Sequence, residues 1–127
     1  MLNNSKKIKY LLDKFIFISI GASIGALIRW HVGNILLLNV IGTLILGFVI
    51  GTKLREPFKL LLGVGFCGSL TTFSSWIINC LHLLIIGNFL QAIISIIYPL
   101  IAGLIVISIG FFIGERFKMI YLNNSFF

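Results

Sequence analysis

Acidic residues are scarce in this chain: three among 127 residues, against ten lysines and arginines. They are Asp13, Glu56 and Glu115, and each stands near basic residues, outside the apolar runs. A proton-coupled transporter draws on ionisable groups within the membrane. The apolar runs here offer it no carboxylate, which argues against a small proton-coupled multidrug transporter. Cysteine is scarcer still. Cys67 and Cys80 form no C-x-x-C pair and no ligand set with His31 or His82. They read as small buried apolar residues, not as a disulfide or a metal site. There is no Walker motif and no nucleophile–base–acid set, so no enzyme is indicated. Charged residues make up 10% of the chain, where a soluble domain carries about 25%. Strand-type alternation is also missing, which argues against a β-barrel.

What is present is apolar. Hydrophobic residues account for 59% of the chain, and the mean hydropathy is +1.14. Four apolar runs cover roughly residues 15–31, 33–52, 58–86 and 92–114. A bilayer core takes about 20 helical residues to cross. The expected fold is an all-α integral membrane protein: one four-helix domain over residues 1–127, with short loops. The basic leader, with Lys6, Lys7, Lys9 and Lys14, runs into the first span without an A-x-A-like cleavage site. It reads as the start of an uncleaved span.

Small residues recur at helix-contact spacing in Gly21-x-x-x-Gly25, Gly47-x-x-x-Gly51 and Gly110-x-x-x-Gly114. That spacing lets a second helix approach closely. Arg29, Trp30 and His31 close the first span. Arg29 is either an interfacial anchor or a buried charge that pins helices and draws anions into a vestibule. Asn39 lies in the second span, with Thr43 four residues on and on the same face. An asparagine there is interhelical glue, or a donor of two hydrogen bonds to an anion. His82 reads as interfacial, and Pro57 as the opening of the third helix.

The third run is too long for a straight crossing. It contains G-F-C-G-S-L-T-T-F-S-S-W at 65–76. Gly is a poor helix former, and Ser and Thr hydroxyls compete for backbone hydrogen bonds. An opened backbone inside a membrane is tolerated only where protein, water or an ion satisfies it. The stretch is therefore a broken helix at an ion site, or a glycine-lined helix contact. Beyond it, Thr72, Ser75, Trp76 and Asn79 follow at i, i+3, i+4 and i+7, one polar and aromatic stripe that Phe73 partly shares.

Taken together, G-A-S-I-G-A-L-I-R-W at 21–30, N-V-I-G-T at 39–43 and the 65–76 motif resemble the CrcB/Fluc fluoride channels. The resemblance implies four-helix subunits that pair as antiparallel dimers with two fluoride pores. It implies a structural sodium ion, Na+, that is not transported and is held by backbone carbonyls at the break, here Gly68 and Thr71. It implies a fluoride path along Asn39, Phe73, Trp76 and Tyr98, with Arg29 matching the family's arginine at the end of span one. Two positions depart from the family. Trp76 stands where a second phenylalanine is expected, and Ala102 and Val106 follow Tyr98 where some members place hydroxyls. The implied activity is passive, fluoride-selective export across the cell membrane. A non-conducting partner subunit remains the alternative.

Topology follows from the basic residues. With four spans, the leader, the loop at 53–59 and the tail share one side, and nine of the ten basic residues fall there. Basic loops stay cytoplasmic, so both termini are expected in the cytoplasm. One fixed orientation would make the antiparallel partner an oppositely oriented paralogue.

Overall fold

The computed structural model describes residues 4–52 and 54–124, the last four by their backbone alone. Lys53, assigned from sequence to the loop after span two, lies outside the described residues, as do the ends of the leader and tail. Helix α1 is Asn4–Val32 and α2 is Ile35–Gly51. The third span is split into α3, over residues 56–70, and α4, Ser74–Ile85. Helix α5 is Phe89–Asn124. The described residues contain no strand.

Two helices run beyond the apolar runs. α1 begins at Asn4, so most of the basic leader is helical and continuous with the span. α5 extends ten residues past Gly114, to Asn124. These extensions mix charged residues with apolar ones such as Ile8, Leu11 and Phe117, and mean hydropathy alone trims them off. α2 has 17 residues, the short end of what crosses a bilayer core.

The turns have local causes. Gly33, at φ 66°, breaks α1 from α2, a backbone conformation that glycine adopts without steric cost. The Asn34 side chain then caps α2 by accepting the Leu37 N–H at 3.1 Å. Gly87, at φ 79°, ends α4. Its N–H bonds the Leu84 carbonyl while the Asn88 N–H reaches back to Leu83, the Schellman pattern.

Glycine contacts set the bundle. A Cβ at Gly21 would strike the Leu61 carbonyl, and one at Gly65 the Ile18 carbonyl. α1 and α3 thus meet backbone to backbone. α2 and α5 do so reciprocally: a Cβ at Gly47 would strike the Ile107 carbonyl, and one at Gly110 the Leu44 carbonyl. All three small-residue spacings are therefore helix contacts. Few side chains are fully buried; Leu38, Val49, Leu70 and Ala92 are among them. Large apolar residues such as Phe15, Leu27 and Leu104 point outward, each about two-thirds exposed or more (71%, 68% and 68%). Such a surface suits lipid, where the outside is apolar and helices are held by close packing.

The charged residues gather at one end. Tyr10 donates to Glu56 at 3.1 Å, and Lys14 pairs with the same carboxylate at 2.6 Å. This ties the start of α1 to the start of α3. Gly51, at the end of α2, packs against the backbone of α5 from Phe111 to Glu115. Arg29 and the Gly87 turn lie at the opposite end of their helices. The hydrogen bonds from Lys14 and then Tyr10 hold the Glu56 carboxyl below the usual carboxylate range.

Candidate functional site

The 65–76 motif turns out to do two jobs in sequence. Its first half is helical and packs against α1 through Gly65. Residues 60–67 form wide π-type turns, a geometry that is rare and frequent at functional sites. The chain leaves the helix only at Thr71, Thr72 and Phe73. The break thus falls after the glycines, at the two threonines. The motif is a helix contact in its first half and a broken helix in its second.

The threonines explain the break. The Thr71 hydroxyl bonds back to the Cys67 carbonyl at 2.9 Å, beside Thr71's own N–H at 3.0 Å. Thr71 itself is extended, at ψ 149°, which turns its carbonyl out of the helical ladder. Asn39 then pairs with the opened backbone. Its Oδ1 accepts the Thr72 N–H at 2.9 Å, and its Nδ2 donates to the Thr72 carbonyl at 3.1 Å. In a continuous helix the Thr72 N–H would serve the Gly68 carbonyl. Here it is diverted to Asn39.

Around this break lies a side-open cavity of about 600 Å³. Asn39, Gly68, Thr71, Phe73, Trp76 and Tyr98 all line it. Six of the seven residues singled out from sequence are thereby brought to one place, from α2, the break, α4 and α5. Arg29 is not among the lining residues. It sits half-buried near the end of α1. The polar stripe converges too, since Thr72, Ser75 and Asn79 also line the cavity.

Three aromatic residues stand at its wall, Phe73, Trp76 and Tyr98. Phe73 meets Trp76 edge to face, with centroids 4.9 Å apart and planes at 76°. The Trp76 indole N–H donates to the Ser95 carbonyl on α5. Ser95 also bonds Ala92 at 2.9 Å and contacts Cys80 at 3.2 Å. Reading the residues in order gave no sign of Ser95, because the contact joins α4 to α5 across the turn at Gly87. Gly68 is exposed, and a Cβ there would meet nothing within 4 Å. The described residues contain no cluster of three or more metal-ligating His, Cys, Asp or Glu side chains.

A multi-pass bundle with a mid-span helix break that opens on a largely apolar cavity, set with amides, hydroxyls and aromatic rings and no carboxylate, fits one class: a membrane channel protein. The chain belongs to the family described as CrcB-like protein, Camphor Resistance (CrcB), whose model matches residues 16–111. It is 46% identical to "Fluoride-specific ion channel FluC 2" of Prochlorococcus marinus (strain MIT 9313), over 93% of this chain and 95% of the relative. It is 37% identical to "Fluoride-specific ion channel FluC 1" of Prochlorococcus marinus (strain NATL2A), over 82% and 91%. It is 30% identical to "Fluoride-specific ion channel FluC" of Escherichia coli O1:K1 / APEC, over 81% and 95%.

Proposed function

We propose that this chain is a subunit of a fluoride-selective channel that lets fluoride leave the cell passively. The single observation that carries the reading is the Asn39-paired break at 71–73, which opens on a cavity lined by Phe73, Trp76 and Tyr98 and by no acidic side chain. Family membership argues against the multidrug-transporter alternative. An aromatic ring is positive at its edge. Ring edges hold a small hard anion weakly, and weak sites allow release. Phe73, exposed at the cavity wall, would supply such an edge. One Nδ2–H of Asn39 goes to Thr72, which leaves the second to replace part of the ion's hydration. Tyr98 adds an exposed hydroxyl on α5. Trp76 has its N–H committed to Ser95 and contributes ring carbon only.

A sodium ion fits the break on two counts. The helical donor of the Gly68 carbonyl is diverted, and the Thr71 carbonyl is turned out of the ladder. Gly68 and Thr71 would hold the ion, which would neutralise the carbonyl dipoles at the opened backbone. The open space over Gly68 suits a second subunit, antiparallel to the first, closing the cavity from its open side. The relatives' names distinguish a FluC 1 from a FluC 2, which suits pairing with a paralogue in the cell membrane.

Fluoride efflux from loaded proteoliposomes carrying the complete channel tests the reading, with chloride as the control. Release down a fluoride gradient, without a proton gradient, is expected. No release, or release that needs a proton gradient, would overturn it. Ion-replacement diffraction that shows no cation near the Gly68 and Thr71 carbonyls would remove the sodium site.

A further inference from the structure

The first turns of α1 are not explained by the channel reading. From Asn4 to Lys14 the helix is polar enough to sit outside the hydrocarbon, yet it is continuous with the span. α1 as a whole has 29 residues, or about 43 Å at 1.5 Å per residue. That matches the full bilayer including its headgroup layers, about 40–45 Å. The first turn or so of α1, with Lys6 and Lys7, therefore lies at headgroup depth.

The N-terminal turns have two faces. Ile8, Leu11, Leu12 and Phe15 fall at i, i+3, i+4 and i+7, and all are more than half exposed (58%, 55%, 57% and 71%). They form an apolar stripe facing away from the bundle. The other face holds Tyr10 and Lys14, which are tied to Glu56. Lys6 and Lys7 lie one turn before Tyr10 on that same side, and both are exposed. Arg55 and Lys59 flank Glu56 at the start of α3 and are exposed as well.

The carboxylates here do not cancel this charge. Glu56 is taken by Lys14. Asp13 offsets one lysine, standing four residues after Lys9. Among the described residues no other acid lies on the first turns of α1 or α3. The result is a basic corner on the bundle-facing side of α1, opposite the apolar stripe, at the level of the phospholipid phosphates.

We propose that Lys6 and Lys7 of α1, with Arg55 and Lys59 at the start of α3, form a binding site for acidic phospholipid headgroups. The stripe of Ile8, Leu11, Leu12 and Phe15 faces the surrounding acyl chains and holds the helix at that depth. Lysines at an anionic leaflet each add favourable electrostatic energy, and their long stems reach the phosphates while the backbone stays deeper. The Tyr10–Glu56–Lys14 contacts hold α1 against α3, so the two basic segments stay together.

The test needs no fluoride and is independent of the channel reading. The full chain in detergent is titrated with phosphatidylglycerol or phosphatidylcholine, and bound lipid is counted by native mass spectrometry. Tighter retention of phosphatidylglycerol is expected. The K6Q/K7Q variant loses about fivefold in affinity per lysine, about 25-fold together. K6R/K7R keeps the preference, which guards against a folding artefact. Equal retention of the two lipids by the wild-type chain would overturn the proposal. So would an unchanged preference in the glutamine variant. Displacement of bound lipid by equimolar glycerol phosphate would assign the site to a free phosphate and overturn the lipid.

Discussion

The Asn39 side chain stands in for a strand partner of Thr72: it accepts from the Thr72 N–H at 2.9 Å and donates to the Thr72 carbonyl at 3.1 Å. One amide thus satisfies both backbone groups of a residue that has left its helix within the membrane. Asn39→Leu leaves both groups unpaired. It should lower stability by about 1–3 kcal/mol and lower fluoride flux. Asn39→Asp keeps the acceptor and loses the donor, so it should destabilise less yet place a negative charge in the anion path. Thermal unfolding in detergent, read beside liposome flux, checks both. Equal unfolding temperatures for Asn39→Leu and wild type would show that the amide does not hold the break.

The glycines divide into two groups with opposite expectations. At Gly110 a Cβ would meet the Leu44 carbonyl and, at 3.0 Å, the Phe48 nitrogen. Gly110→Val should force α2 and α5 apart, costing about 1–3 kcal/mol or more, and should reduce the yield of folded protein. At Gly103 a Cβ meets nothing within 4 Å. Gly103→Ala should leave the fold intact and stabilise the single chain by about 0.4–1 kcal/mol, since glycine is the poorer helix former. Size-exclusion profiles of the two variants, side by side, decide whether the α2–α5 contact is as tight as the backbone distances imply.

Gly68 is the informative case. Its backbone is right-handed helical, at φ −63°, and its Cβ position is open. A single chain should therefore accept Gly68→Val with its helical content intact. The proposed sodium ion and second subunit both lie on that open side, so the same variant should abolish flux. Circular dichroism and flux measured together check the split. Retained flux would remove both occupants from the space over Gly68.

Phe73 is 64% exposed in the single chain, so little of the bundle depends on it. Phe73→Ile keeps apolar bulk and removes the ring quadrupole. A large fall in flux is expected, with stability within about 0.5 kcal/mol of wild type. Unchanged flux would make Phe73 a lipid-facing or packing residue.

The sequence made the spans, the helix contacts and the break legible to different degrees. Gly21, Gly47 and Gly110 were readable because small-residue spacing has a direct packing consequence. The break was readable as a region but not as a position. Glycine content drew attention to residues 65–68, whereas the opening came three residues later, where the Thr71 hydroxyl competes for the Cys67 carbonyl. The Asn39–Thr72 pairing joins residues 33 apart. The Trp76–Ser95 bond crosses a turn. Neither leaves a periodic trace. The helical start at Asn4 was hidden for another reason: a lysine-rich turn at headgroup depth is as polar as a loop.

Orientation follows from how the helix ends meet. The described contacts bring the start of α1 to the start of α3 through Tyr10 and Glu56. They bring the end of α2 to α5 near Glu115 through Gly51. One end of the bundle therefore carries Lys6, Lys7, Lys9, Lys14, Arg55, Lys59, Arg116 and Lys118. The other carries Arg29 alone among the described lysines and arginines. Basic flanks stay in the cytoplasm. A chain that inserts both ways needs a near-even balance, and this one is far from it. Both termini should thus be cytoplasmic in every copy, and an antiparallel channel should need an oppositely inserted paralogue. C-terminal reporter fusions should be active on the cytoplasmic side only. This chain purified alone should carry little fluoride flux, and co-expression with the paralogue should restore it. Reporters active on both sides, or full flux from the lone chain, would instead establish a homodimer that inserts in both directions.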